Sequence, residues 1–221
     1  MADAFEKRLR RAEFLRKEWP FASDLLAFHS RILSLQQEAL TTPGGEPFAG
    51  RLEAVVRRHG PAELAQREEP FLEFCRRVTE QVQGMADLRS TGEPSAPGDR
   101  SAECPACSGA PQVSVLREDK NAETVRRSLV CARCFLEWPF ARVLCPSCGE
   151  EKPEKLPRYT AQEIPWMRVE ACDTCRKFIK SVDLTLNWEA DPVVDELAST
   201  PLDMIARDHG YVKITPNLAG I

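Results

Sequence analysis

The chain has 221 residues, 43% hydrophobic and 29% charged, with 34 acidic against 30 basic side chains and a net charge of −4. These are the proportions of an ordinary folded chain, and they exclude a wholly disordered or collagen-like polymer. No apolar run approaches the ~20 residues of a membrane span, and the basic excess usual in a nucleic-acid binder is missing.

Residues 1–88 read as helical. The first nineteen are charged throughout and offer no apolar signal-peptide core, so no cleaved secretory signal is expected. After Trp19-Pro20, the residues Phe21, Leu25, Phe28, Ile32, Leu35 and Ala39 recur at steps of three and four. That spacing predicts one apolar stripe on a helix, which Thr41-Thr42-Pro43-Gly44-Gly45 should end. Gly60-Pro61 breaks the chain again, and Phe71, Cys75, Val78, Val82 and Met85 form a second stripe. A bundle of about four helices is expected. Residues 89–102, RSTGEPSAPGDRSA, contain no large apolar side chain and read as a linker.

Beyond the linker the pattern changes to short β-prone pieces. Val113–Leu116, Arg127–Val130, Phe135–Trp138 and Arg168–Ala171 are predicted strands. Between Phe178 and Leu186, Phe178, Val182, Leu184 and Leu186 share one face, and Ser181, Asp183 and Thr185 the other. Asp191-Pro192 and Thr200-Pro201 can each start a short helix. Gly210 is placed to end the second in the left-handed conformation, and Tyr211–Ile221 reads as irregular.

Of the nine cysteines, eight form C-x-x-C pairs: Cys104/Cys107, Cys131/Cys134, Cys145/Cys148 and Cys172/Cys175. Each cysteine of the first two pairs lies 41 residues before a counterpart in the last two, so the segment is an internal duplication of C-x2-C-x23-C-x2-C. Pro105 and Arg127 are repeated at the same offset as Pro146 and Arg168. A tight C-x-x-C turn presents two sulfurs to one side of a metal, and two turns close a tetrahedral tetrathiolate site. The spacing therefore predicts two metal ions, iron or zinc, on Cys104, Cys107, Cys131, Cys134 and on Cys145, Cys148, Cys172, Cys175, since four thiolates suit either metal. Two pairings are open, each copy closing its own site or the two inner pairs joining. The duplication favours the first, because each copy is then a complete unit. Rubredoxin-type sites and zinc ribbons share this knuckle. The fold expected is α+β: a helical domain, tandem rubredoxin-like or zinc-ribbon-like modules, and a C-terminal helical tail. The boundaries read as 1–88, linker 89–102, modules 103–143 and 144–190, and closing segment 191–221.

No catalytic constellation is legible and no cofactor cradle is recognised. The histidines His29, His59 and His209 lie outside the cysteine region; His29 sits beside the apolar stripe, while His59 and His209 each precede a glycine, where helix-end contacts are the expected role. Cys75 reads as a buried core thiol. Trp138, Trp166 and Trp188 are expected to pack over the knuckles, and Arg126, Arg127 and Arg133 to form a solvated face or a partner contact.

The tandem C-x-x-C region, the segment Val169–Lys180, Asp191-Pro192 with Leu197-Ala198, and the tail Leu202-Asp203, Gly210-Tyr211 and Asn217 together resemble the formate dehydrogenase accessory protein family FdhE. The resemblance covers roughly residues 103–221. It implies a cytoplasmic, non-catalytic maturation factor that binds the catalytic subunit of formate dehydrogenase, with rubredoxin-like iron sites on the eight cysteines. No nucleic-acid partner and no membrane insertion are expected. A rubredoxin-like electron carrier is the alternative function, and a zinc-ribbon transcription adaptor a third that the charge balance disfavours.

Overall fold

The computed structural model describes residues 2–41, 100–119, 124–133 and 135–217, with the isolated helical residues 51 and 54. Cys134, Cys75, His59, the second helical stripe and residues 89–99 of the linker lie outside the described residues.

Two helices open the chain, α1 (Ala2–Glu18) and α2 (Ser23–Thr41), joined by a tight 3-10 turn over Pro20–Ala22. Pro20 is at the first position of that turn, where its fixed φ fits and its missing amide costs nothing. Helix α2 ends at Thr41, ahead of Pro43. Its buried face differs from the predicted stripe. Ala22, Leu26, His29 and Leu33 are buried with Ile32 and Leu35, while Phe21 and Phe28 are 61% and 38% exposed. The core face is turned by about one residue, roughly 100°. A polar residue, His29, stands in the true face and hid it from apolar spacing.

The remainder is one seven-stranded sheet. Its strands are β1 (Pro111–Asp119), β2 (Thr124–Cys131), β3 (Glu137–Pro139), β4 (Arg158–Thr160), β5 (Met167–Cys172), β6 (Lys177–Asp183) and β7 (Val212–Lys213). The order β3-β2-β1-β6-β5-β4 is two three-stranded antiparallel meanders set side by side. The duplication is preserved in register: Leu129 faces Trp138 and Val130 faces Glu137 in the first copy, as Glu170 faces Ile179 and Ala171 faces Phe178 in the second. The copies are joined by parallel pairing of β1 with the end of β6, Val113 opposite Lys180 and Leu116 opposite Asp183. Two short helices follow, α3 (Pro192–Ala198) and α4 (Thr200–Asp208). The Asp191 carboxylate caps α3 by accepting from the amides of Val193 and Val194 at 3.0 and 3.2 Å. Gly210 takes φ +77° after α4. The tail expected to be irregular then returns to the sheet as β7, parallel to the start of β6.

One apolar cluster joins Leu15, Trp19 and Leu26 of the N-terminal helices to Val115, Val169 and Val182 of the sheet and to Val194, Leu202 and Ala206 of α3 and α4. A second gathers Cys104, Leu129, Cys131, Trp138, Phe140, Leu144 and Ile179. Burial of each large side chain contributes about 1.5–3 kcal/mol. Strand β6 is covered on both faces, with Lys180 and Ser181 fully buried. The predicted alternation stops at Asp183, whose carboxylate accepts from the Thr185 amide at 3.0 Å and turns the chain, leaving Leu186 65% exposed. The architecture is thus α+β, with N-terminal helices and a sheet carrying two cysteine groups.

Candidate metal centres

The sulfurs of Cys145, Cys148, Cys172 and Cys175 lie within 4.8 Å of one another, and so do those of Cys104, Cys107 and Cys131. Contacts run between the two knuckles of each copy: Cys107 to Cys131 at 3.5 Å, Cys148 to Cys172 at 3.6 Å, and Cys145 to Cys175 at 3.8 Å. A tetrahedron with metal–sulfur bonds of about 2.3 Å has edges of about 3.8 Å, so the donor set fits a four-coordinate ion. Among the described residues the cysteines group within each copy, Cys104, Cys107 and Cys131 in the first and Cys145, Cys148, Cys172 and Cys175 in the second, which is the arrangement the duplication favoured.

All four knuckles share one backbone design. The residue after the second cysteine of each pair has positive φ: Ser108 (53°), Phe135 (55°), Gly149 (75°) and Arg176 (57°). Its amide donates to the carbonyl of the first cysteine, at 2.8 Å from Ser108 to Cys104, 3.1 Å from Phe135 to Cys131, 3.0 Å from Gly149 to Cys145 and 2.9 Å from Arg176 to Cys172. The turn leaves further amides aimed at sulfur. Arg133 N–H donates to Cys131 Sγ and Ser147 N–H to Cys145 Sγ, both at 3.4 Å. In the first copy the left-handed position falls to Ser108, and Gly109 serves a different need. A Cβ there would stand 2.8 Å from Cys131 Sγ and 3.2 Å from Cys107 Sγ.

Burial pushes the Cys145 thiol up strongly, against amide hydrogen bonds from Ser147 and Cys148. Desolvation also raises Cys148, with Cys172 and Cys175 adding to it against the Glu150 amide and Cys145. Cys175 goes the other way: desolvation opposes it, but the Lys177 amide and three neighbouring thiols hold its thiolate below the usual range. Metal binding at such a group would release the thiol protons.

Much of the surrounding support was hidden in the sequence. Arg127 is not part of a solvated face. It is 3% exposed, donating to Ser114 Oγ at 2.9 Å and to the carbonyls of Ala141 and Leu144 at 3.0 and 2.9 Å. It also pairs with Glu170 at 2.7 Å, and Arg168, its counterpart in the second copy, holds the other oxygen at 2.8 Å. Tyr211 reaches back to the second centre and donates to Asp173 at 2.6 Å, under the Arg176 guanidinium at 4.1 Å. Arg176 in turn donates to the His209 carbonyl at 2.5 Å.

A four-cornered buried ionic cluster stands below α3 and α4. Lys180 pairs with Asp203 at 2.5 Å and Glu196 at 3.2 Å, and Lys213 pairs with Asp203 at 2.9 Å and with Glu196. Asn217 donates to Glu196 at 3.2 Å. Sequence spacing gave no signal for this cluster, because its members come from β6, α3, α4 and the tail. Of the three tryptophans expected over the knuckles, Trp138 packs beside cysteines. Trp166 stacks on Trp19 at 5.8 Å, and Trp188 is 79% exposed. His209 ends α4 as expected, its Nδ1 2.8 Å from the Ile205 carbonyl. His29 instead is buried mid-helix.

Residues 143–219 match the family model described as FdhE, C-terminal domain. This part of the chain is similar to the C-terminal domain of FdhE. The matched FdhE segment contains the whole second cysteine group, the ionic cluster and Tyr211. Relatives named Protein FdhE homolog include one from Aquifex aeolicus, 30% identical over 53% of this chain and 41% of its own length. Another, from Pseudomonas aeruginosa, is 34% identical over 52% of this chain and 38% of its own length. The aligned part thus spans about two fifths of the curated FdhE relatives. The crystal structure of the FdhE protein from Pseudomonas aeruginosa shares the fold, with a TM-score of 0.79 at 23% identity, covering 99% of this chain and 96% of that one. No helix of the described residues is long and apolar enough to cross a membrane.

Proposed function

We propose that the chain is a non-enzymatic assembly factor for formate dehydrogenase that binds the catalytic subunit through its two-module cysteine domain. The FdhE match over residues 143–219 carries this reading. The site chemistry supports it: four sulfurs close a tetrahedral ion and leave no coordination position for a substrate. In this reading Cys104, Cys107, Cys131 and Cys134 hold one metal and Cys145, Cys148, Cys172 and Cys175 a second, iron or zinc. Residues 1–88 form a helical domain joined through 89–102 to modules 103–143 and 144–190, with 191–221 closing the structure. Arg11 supports a docked arrangement of these parts, because its guanidinium meets the buried Asp195 at 2.6 and 2.9 Å, and Trp166 donates to the same carboxylate at 2.9 Å. The work is done in the cytoplasm, without nucleic acid and without membrane insertion.

The test is genetic and biochemical. A deletion strain should keep the catalytic-subunit polypeptide but lose formate dehydrogenase activity, and the purified chain should co-purify with that subunit. Complementation should fail with Cys172→Ser or Cys175→Ser. Full activity in the deletion strain, with no second homologue present, would overturn the reading.

A further inference from the structure

Beside the second cysteine group a cleft opens on the seam between the two copies, with a cavity volume of about 30 Å³. That is room for about one or two waters, and so for a single carboxylate head rather than a length of peptide. The sulfur-bearing residues Cys145 and Cys172 form part of its wall. Its charged lining is four cations, Arg127, Arg142, Arg158 and Lys177, against one carboxylate, Glu170.

The charges fall into two groups. Arg127 is buried and Glu170 largely so, and they pair with each other at 2.7 Å and neutralise one another in the floor. Arg142, Arg158 and Lys177 are exposed at the rim. None of these three forms an ion pair among the described residues, and Arg142 makes only a hydrogen bond to the Val125 carbonyl at 3.1 Å. Acidic side chains on the adjacent loop are engaged elsewhere: Glu150 accepts from Thr174 at 2.6 Å, and Glu151 pairs with Arg100. Three cations without a direct ion pair among the described residues thus surround one small opening on a chain whose net charge is −4, although the Arg158 charge also acts on Glu170. A concentration of like charge at a concave site raises the local potential and draws in the opposite charge. Arginine adds a planar donor fork that matches a carboxylate.

We propose that this cleft receives one carboxylate of an acidic segment on the partner protein, with Arg142, Arg158 and Lys177 as its donors. This rests on the partner-binding reading above and names the chemistry of the surface recognised. The rim is open and spread over both copies, from Arg142 in the first to Lys177 in the second, so it suits a side chain presented by a protein surface. The floor pair and the cysteine wall fix the depth, so a single head group enters and the rest of the partner stays outside.

The full-length, metal-loaded chain should bind a blocked hexaglutamate peptide, and the binding should weaken as salt is raised. A hexaglutamine peptide should not bind. Arg158→Glu and Lys177→Glu should each weaken hexaglutamate binding at least about tenfold, since like charges facing across a contact are strongly unfavourable. Lys17→Glu, on the exposed face of α1, should leave it unchanged. Metal content should stay at the wild-type value in all three variants. Loss of metal in the rim variants would assign the cations to the cysteine group and overturn the proposal, as would equal binding of both peptides. Tight binding of inorganic phosphate with no response to hexaglutamate would overturn it in favour of a free-anion site. If the formate dehydrogenase catalytic subunit co-purifies equally with wild type and with both rim variants, the cleft proposal fails while the assembly-factor reading stands. If it does not co-purify with wild type, that reading itself fails.

Discussion

Arg127 and Glu170 meet at 2.7 Å across the seam of the duplicated sheet, one from β2 of the first copy and one from β5 of the second. Arg168 completes the group on Glu170 at 2.8 Å. The pair ties the two copies together directly beneath the wall of the second cysteine group. Breaking a buried pair from one side strands the other charge, at a cost of about 3–5 kcal/mol. Arg127→Met should lower the unfolding free energy by that order in urea titrations. Glu170→Gln should cost at least as much, because it leaves both Arg127 and Arg168 without their counter-charge. Equal stability of Arg127→Met and wild type would show that the seam is held by other contacts.

Metal content is the second test. Purified chain should hold two metals, each with four thiolates. A ferric form should be coloured and bleach on reduction, and a zinc form should be colourless. Chelation should loosen the sheet, because such a site contributes folding energy. Stable, fully folded protein with less than one metal per chain would contradict the assignment.

Two glycines separate two physical roles. At Gly109 a Cβ would collide with Cys131 Sγ, whereas at Gly149 nothing lies within 4 Å and only the φ of +75° resists a side chain. Gly109→Ala should therefore weaken the first centre, seen as faster metal loss to a chelator. Gly149→Ala should cost about 1–2 kcal/mol in stability and leave metal retention at the first centre as in wild type.

The pH response has a defined origin in His29. Burial lowers its pKa to about 4, and Arg8 adds to the effect against the opposing pull of Asp191 and Glu196. The unfolded chain then binds the proton more readily between about pH 6.5 and 4, so stability falls as pH drops through that window, by up to about 3 kcal/mol. Its Nε2 is buried without a hydrogen-bond partner, so His29→Leu sacrifices no hydrogen bond there and should flatten this slope. Glu170 and Glu196 act in the same direction at lower pH. Both carboxylates are held low despite desolvation, by Arg127 and Arg168 around Glu170 and by Lys180 and Lys213 around Glu196. Their contribution is present above the unfolded value of about 4.3 and is lost as pH falls below it. In the leucine variant, acid loss should therefore begin only below about pH 4.3. Denaturant midpoints measured from pH 7 to pH 4 check both parts.

What the sequence determined by itself was local. The knuckles, the helix start at Asp191-Pro192 and the left-handed Gly210 each depend on residues a few positions apart, set by spacing, ring closure or the absence of a Cβ, and the 41-residue duplication is legible as a repeated spacing. Within-copy grouping of the cysteines followed from the repeat. Tertiary structure alone decided the rest. It joined β1 to β6 across the copies, turned the core face of α2 toward Leu26 and His29, and brought Lys180, Glu196, Asp203 and Lys213 from four separate elements into one buried cluster. It also turned Arg127 from a surface candidate into the tie across the seam. A charged residue carries no periodic mark of burial. Its place is set by a partner distant in sequence, and the pair is stable inside only when folding has already brought both charges to the same point.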